Sequence, residues 1–199
     1  MMQQEIVRQS GPLQTTWFAQ RIVTAVVGVA AFASMTALGA HVRIPLPWTP
    51  VPITLQTFFV HLAGATLGPT LGPLSQMLYL LAGAAGLPVF AGGGSGLLNL
   101  LGGVTTGYLI GFVLATALVG RLVRLRSDPG FLWSLGSMAM GSLLIYACGV
   151  CWLAWILRLS LLSAFAQGVL PFLAGDVLKI GAAAGLFWRY QRRSRIMFP

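Results

Sequence analysis

The sequence predicts an all-α membrane protein, a bundle of six transmembrane helices whose first external loop caps one end. Three observations carry this prediction. Hydrophobic residues make up 57% of the 199-residue chain and charged residues only 8%, whereas ordinary soluble chains carry about a quarter. The few charges gather at the edges of long apolar segments. The arginines, finally, fall on alternate connections in a strongly uneven way.

Residues 1–21 form a polar leader with Glu5, Arg8 and Arg21. The apolar run that follows, ending in "TALGA", has the outline of a cleavable signal peptide. The length of the leader, and the need of later segments for a first helix to orient them, predict instead that it is kept as the first span. A span takes about 20 mostly apolar residues, fewer where glycine and proline break it. Six segments qualify, at residues 22–40, 54–68, 70–86, 104–122, 132–157 and 169–188. The second and third are short and separated only by "GPT".

An even number of spans puts both termini on one side. Arg8, Arg21, Arg121, Arg124, Arg126, Arg189, Arg192, Arg193 and Arg195 then share a face, with only Arg43 and Arg158 opposite. The positive-inside rule makes the richer face cytoplasmic. The basic run "RYQRRSR" is explained by that orientation and by contact with anionic lipid, so no nucleic-acid partner is expected. The domain reading is a leader (1–21), a single membrane domain (22–188) and a basic cytoplasmic tail (189–199), with no internal repeat or second domain.

Two outer connections are unusual. Residues 41–54, "HVRIPLPWTPVPIT", hold Pro45, Pro47, Pro50 and Pro52, which fix φ and withhold backbone donors. That segment reads as an extended, stiff lid. Residues 86–103, "GLPVFAGGGSGLLNLLGG", are glycine-rich and suited to tight turns. The inner "RLVRLRSDPG" is an ordinary basic turn.

The last segment contains "FLAGDVLKIGAAAG", with Asp176 and Lys179, the chain's only lysine, at i and i+3 on one helical face. Each charge near a bilayer centre costs roughly 2.5 to 3.5 kcal/mol on insertion scales. Pairing alone would answer part of that cost, yet apolar replacement of such a pair is often neutral. A ligand site is the fuller explanation: with the helix starting near Val169, Asp176 lies about 10 Å deep, within reach of an outward cavity. A carboxylate and an ammonium suit a small ligand presenting both N–H groups and a carbonyl.

Other chemistry finds little support. No Walker A lysine motif, H-E-x-x-H or G-x-S-x-G is present, so neither ATP hydrolysis nor another enzymatic activity is expected of this chain, and no cofactor or metal. Cys148 and Cys151 form a C-x-x-C inside an apolar helix, where thiols stay neutral and inert. His41 stands beside the lid, and His61 reads as a packed, hydrogen-bonded core residue. Ala33 and Ala37, four apart on the first helix, form a small-xxx-small face that serves equally for packing within the chain or against a partner.

The combination of "IPLPWTPVPITLQTFFVHLAGATLGP", "LYLLAGAAGLPVFAGGGSG", "TGYLIGF", "YACGVCWL" and "GVLPFLAGDVLKI", in this order, closely resembles the BioY family over residues 25–185. These are biotin-binding S components of energy-coupling factor (ECF) transporters. The resemblance implies an S-component bundle in the bacterial cytoplasmic membrane that binds biotin under its first external loop. It implies as partners a transmembrane T component and ABC-type ATPases that supply the energy. It makes Asp176 and Lys179 substrate contacts, places Thr54 and Gln56 at the site, and gives Ala33 and Ala37 to docking on the T component.

Biotin's ureido ring matches the Asp176–Lys179 pair, with Trp48, Phe90, Tyr108, Tyr146 and Trp152 as candidate apolar walls. Arg43, Asn99 or water are candidates for its carboxylate. "GGVTTGY", residues 102–108, departs from the family's G-P-T-G-G-Y and makes Tyr108 less secure as a contact. The alternatives are an S component for another vitamin, riboflavin or thiamine, and a stand-alone secondary transporter in which Asp176 handles a proton or cation.

Overall fold

A computed structural model describes the backbone of residues 2–198 and the side chains of residues 19–198. The described chain is a bundle of helices, α1 (Met2–His41), α2 (Gln56–Ala84), α3 (Leu97–Gly102), α4 (Thr106–Arg124), α5 (Phe131–Ile156), α6 (Leu161–Gly168) and α7 (Leu173–Met197). Two short antiparallel strands, β1 (Arg43–Ile44) and β2 (Ile53–Thr54), pinch the proline-rich segment into a loop. Among the described residues three stretches are long and apolar enough to cross a membrane by themselves: Ala19–His41, Thr106–Arg124 and Phe131–Ile156. The α6–α7 pair, bent by 55°, passes the same test together.

The second and third predicted segments are the two arms of α2. Gly68 interrupts the helix with φ 85° and ψ −172°, a backbone conformation that only glycine adopts cheaply, and Pro69 bars its predecessor from the helical region. The chain doubles back at this point. A straight helix would carry Gly64 and Gly72 about 12 Å apart, whereas a Cβ on Gly72 would lie 3.2 Å from the Gly64 Cα. The same reversal brings Gln56 to Tyr79, their Nε2–OH hydrogen bond measuring 2.7 Å. Arg124 donates to Leu67 O at 3.2 Å, satisfying a carbonyl that the break leaves free.

Two apolar cores stack along the bundle. One contains Val60, Tyr79, Phe90, Tyr108, Phe112, Ile145 and Phe172. The other packs Leu62, Val119, Met138, Ile180, Ala183 and Phe187. The outward faces are apolar too, as in Val26, Leu38, Leu143 and Leu178, each at least 60% exposed. In lipid those faces need no cover.

Three features differ from the sequence expectation. The 86–103 connection is not all turn, because Leu97–Gly102 winds into α3 after a tight bend with Gly92 and Gly93 at φ 82° and 75°. Residues 161–168 form α6, capped by Ser160, whose hydroxyl accepts from Ser163 N at 3.2 Å. The Val169–Phe172 turn takes up the start of the predicted last span, and α7 begins at Leu173. Asp176 therefore lies in the first turn of α7 and not seven residues deep. At its other end α7 runs through the predicted basic tail to Met197, held by Arg195 donating to Val123 O and Arg126 O at 3.1 and 2.6 Å.

The crossing of α2 and α4 depends on close backbone approach: a Cβ on Gly120 would lie 2.5 Å from Gly68 C and Pro69 N and 2.9 Å from Gly64 O. None of these atoms can swing aside as a side chain would. Gly120→Ala should therefore cost about 1–3 kcal/mol and lower the melting temperature of detergent-solubilised protein by several degrees. Gly136→Ala, with open space around it, is the control expected to melt no lower than wild type.

Candidate functional site

A partly enclosed cavity opens within the first of the two cores. Its walls come from the lid (Val51, Pro52, Thr54), the start of α2 (Gln56, Thr57), the glycine turn (Phe90, Ala91), the start of α4 (Thr105, Tyr108, Leu109, Phe112), α5 (Ile145, Tyr146) and the start of α7 (Phe172, Asp176, Lys179). Chemically it is two-sided. Thr54, Gln56, Thr57, Tyr146, Asp176 and Lys179 supply polar groups, while Phe90, Leu109, Phe112, Ile145 and Phe172 supply apolar wall.

The charged pair is formed. Lys179 Nζ is paired with Asp176 Oδ1, their side chains 11% and 7% exposed. Asp176 accepts two further hydrogen bonds, from Thr57 Oγ1 at 3.1 Å and from the Tyr146 hydroxyl to Oδ2. Its place in the first turn of α7 adds the favourable field of a helix N-terminus, which the sequence-based depth concealed. Lys179 also donates to Thr54 O at 2.9 Å, so the ammonium joins α7 to the lid's second strand. A carboxylate offers about four acceptor positions and an ammonium three donors, which leaves each about one position for a ligand.

Gln56 is 4% exposed and bonded at both ends of its amide, donating to Tyr79 and accepting from Thr54 Oγ1 at 3.2 Å. It holds the lid's exit against the second arm of α2. Phe90 packs edge-on to Tyr79, their ring centroids 5.7 Å apart. Tyr108 lines the cavity despite the altered sequence before it, and its hydroxyl donates to Gly168 O at 2.9 Å. Beneath the site His61 is fully buried and bonded to Ser142 at 2.7 Å, as a packed core histidine.

Seven of the predicted contacts thus meet at the cavity: Thr54, Gln56, Phe90, Tyr108, Tyr146, Asp176 and Lys179. Four stand elsewhere. Trp48 is 65% exposed at the tip of the lid. Trp152 turns to the outer face of α5 against Trp155, its indole donating to Gly103 O at 2.9 Å. The Asn99 side chain lies beside the backbones of Gly94 and Gly103, and the Arg43 guanidinium lies against Gly92.

Of the pair on α1, Ala33 is 7% exposed in the core and Ala37 packs on the same core. The cavity also includes Thr57, Phe112, Ile145 and Phe172, which the sequence reading did not nominate. Thr57 had a signal, since it lies one residue past Gln56 in "TLQT". Phe112, Ile145 and Phe172 look like any apolar helix residue. Cys148 and Cys151 are both free. Among the described residues no group of three or more His, Cys, Asp or Glu could hold a metal ion.

Comparison with known proteins matches the BioY family over residues 8–195. The probable biotin transporter BioY of Pyrococcus horikoshii is 43% identical over 163 residues, covering 82% of this chain and 93% of that one. The biotin transporter BioY of Thermotoga maritima is 38% identical over 161 residues, covering 81% and 92%. A crystal structure of the S-component for biotin from an ECF-type ABC transporter superposes with a TM-score of 0.81 at 25% identity, covering 89% of this chain and 96% of that one.

The bonding around Asp176 predicts a stability asymmetry. Lys179→Met strips the cation from a buried carboxylate and should cost about 3 kcal/mol, lowering the melting temperature on the order of 10 °C. Adding Asp176→Asn to it should restore part of that loss, as expected of a coupled pair. A double variant that melts below Lys179→Met would show that the buried charge is not what the single change exposes.

Proposed function

The chain belongs to the BioY family, and from that premise we propose that it captures biotin from the outer side of the membrane as the S component of an ECF transporter. The observation that carries this reading is the two-sided cavity, in which a buried, hydrogen-bonded Asp176–Lys179 pair faces an apolar wall. The ureido ring of biotin offers N–H donors and a carbonyl acceptor. Its N–H groups suit the remaining acceptor position of Asp176, and its carbonyl the remaining donor of Lys179. The thioether ring and the alkyl chain suit Phe90, Phe112, Ile145 and Phe172.

The same reading takes both arms of α2 as short spans, which with α1, α4, α5 and α7 makes six. The hairpin at Gly68 supports it, because the arm that enters at Gln56 leaves at Ala84 on the side of the lid. The nine arginines of the sequence that fall opposite the lid in this topology support a cytoplasmic location for both termini. The chain's contribution is binding and not catalysis; energy comes from partner ATPases acting through a T component. The open face of α1, with Val26, Ala30, Ser34 and Leu38 exposed, supports docking there more than Ala33 does, and Ala37 borders that face.

Equilibrium biotin binding to the purified chain tests the assignment directly. Wild type should bind biotin and neither riboflavin nor thiamine, and Asp176→Asn or Lys179→Met should weaken binding by about 10- to 150-fold, the value of a hydrogen bond to a charged group. Unchanged affinity in a folded Asp176→Asn protein would remove the carboxylate from the ligand site. Topology has its own check: reporter fusions at either terminus should read cytoplasmic, and a reporter within residues 86–103 should read external.

A further inference from the structure

The lid has few ways to hold itself shut. Of residues 45–52, four are prolines without an N–H, so the segment is poor in donors. At its hinge end it is well fixed. Arg43 and Ile44 pair with Thr54 and Ile53, Leu55 N donates to Gly39 O and Val42 O at 3.1 and 3.2 Å, and Lys179 donates to Thr54 O.

At the far end one side chain does the joining. Thr49 Oγ1 donates to Gln167 O at 2.8 Å, across 118 residues of sequence. Among the described residues this is the sole hydrogen bond from residues 45–52 to any other part of the chain. The same oxygen accepts from Val51 N at 3.2 Å, which sets Val51 and Pro52 over the cavity they line. Thr49 and Val51, 8% and 6% exposed, are the lid residues turned inward, while Trp48 stays out.

The acceptor is equally specific. Gln167 and Gly168 close α6, where helix carbonyls lack intrahelical partners. Gln167 O takes the lid's hydroxyl, and Gly168 O takes the hydroxyl of Tyr108 from the cavity wall. Lid and wall are thus fastened to consecutive carbonyls of one short helix. A Leu46–Thr49 turn with Pro47 at its second position presents the threonine, its Thr49 N–Leu46 O separation being 3.5 Å.

We propose that Thr49 is the clasp of the lid, and that breaking its bond to Gln167 O is the step that lets ligand out. Thr49 is a positioning residue on this account: it touches the lid and α6 and not the ligand. The consequence is kinetic. Loss of the hydroxyl should speed release while leaving entry, which proceeds through the open lid, nearly unchanged. The inference rests on the biotin reading of the cavity for its ligand, but the closure itself does not.

The test compares wild type with Thr49→Val, which keeps the shape and removes the hydroxyl, and Thr49→Ser, which restores it. Labelled biotin is bound to protein in nanodiscs and chased with unlabelled biotin. Thr49→Val should release label about tenfold faster, the worth of one hydrogen bond, with association within about twofold, and Thr49→Ser should behave nearly as wild type. In parallel, amide hydrogen exchange of residues 46–54 without ligand should be faster in Thr49→Val than in Thr49→Ser.

Release and exchange both unchanged in Thr49→Val would overturn the clasp. If wild type retains no biotin, the functional reading fails, and the exchange comparison alone then decides whether the clasp exists. Should Thr49→Val not fold, Thr49→Ala is carried through the same two measurements.

Discussion

The Asp176–Lys179 pair is the constraint around which the rest of the structure is arranged. A carboxylate and an ammonium held in an apolar bundle must be neutralised and hydrogen-bonded, or the helix that carries them is expelled from the low-dielectric interior. Every neighbouring element contributes to that requirement. The start of α7 supplies a helix N-terminus, α2 supplies Thr57, α5 supplies Tyr146, and the lid supplies the Thr54 carbonyl. Four segments distant in sequence meet because the charges need them. The cavity is the space left where they meet.

The two ends of the bundle are built for different work. Around the cavity, large aromatic residues stand apart and leave room between them. On the other side the packing is close: Gly64, Gly72 and Gly120 bring backbones together, and Arg124 bonds to Leu67 O and Phe198 O, tying the break in α2 to the end of α7. In lipid, such contact drives helix association, because apolar surface gains nothing by leaving the acyl chains. A tightly packed half can therefore carry a looser half around the cavity without losing the fold.

Much of this was legible in the sequence where a residue had one physical reading. Two charges at i and i+3 in an apolar run admit few explanations, and "GPT" between two short apolar segments marked the hairpin at Gly68 correctly. The four-proline lid was likewise unambiguous as a pattern. Elements with two readings went less well. The apolar Val169–Phe172 turn reads equally well as helix, which starts the last span at Val169 and sets Asp176 deeper than the first turn of α7 that it occupies. Trp48 and Trp152 are as suitable for a membrane interface as for a ligand wall, and only the turn of the lid for the first and the helix phase of α5 for the second decide between them. Ala33 and Ala37 satisfied a packing motif whose face the sequence left undetermined.

The proline-rich lid follows from the same economy of polar groups. A loop that closes over a half-apolar cavity turns part of itself inward, here at Thr49 and Val51, and each buried N–H without a partner is costly. Proline removes the donor at its source. The remaining carbonyls can face solvent, and the segment stays extended at little entropic cost because its φ angles are already fixed. What is given up is the means of attachment, since a loop without donors cannot be stitched down along its length. Closure then depends on a hinge where donors survive, at the β1–β2 ladder and Leu55, and on one hydroxyl at the far end. A lid made inexpensive to bury in this way is held by few bonds, and few bonds make it quick to open.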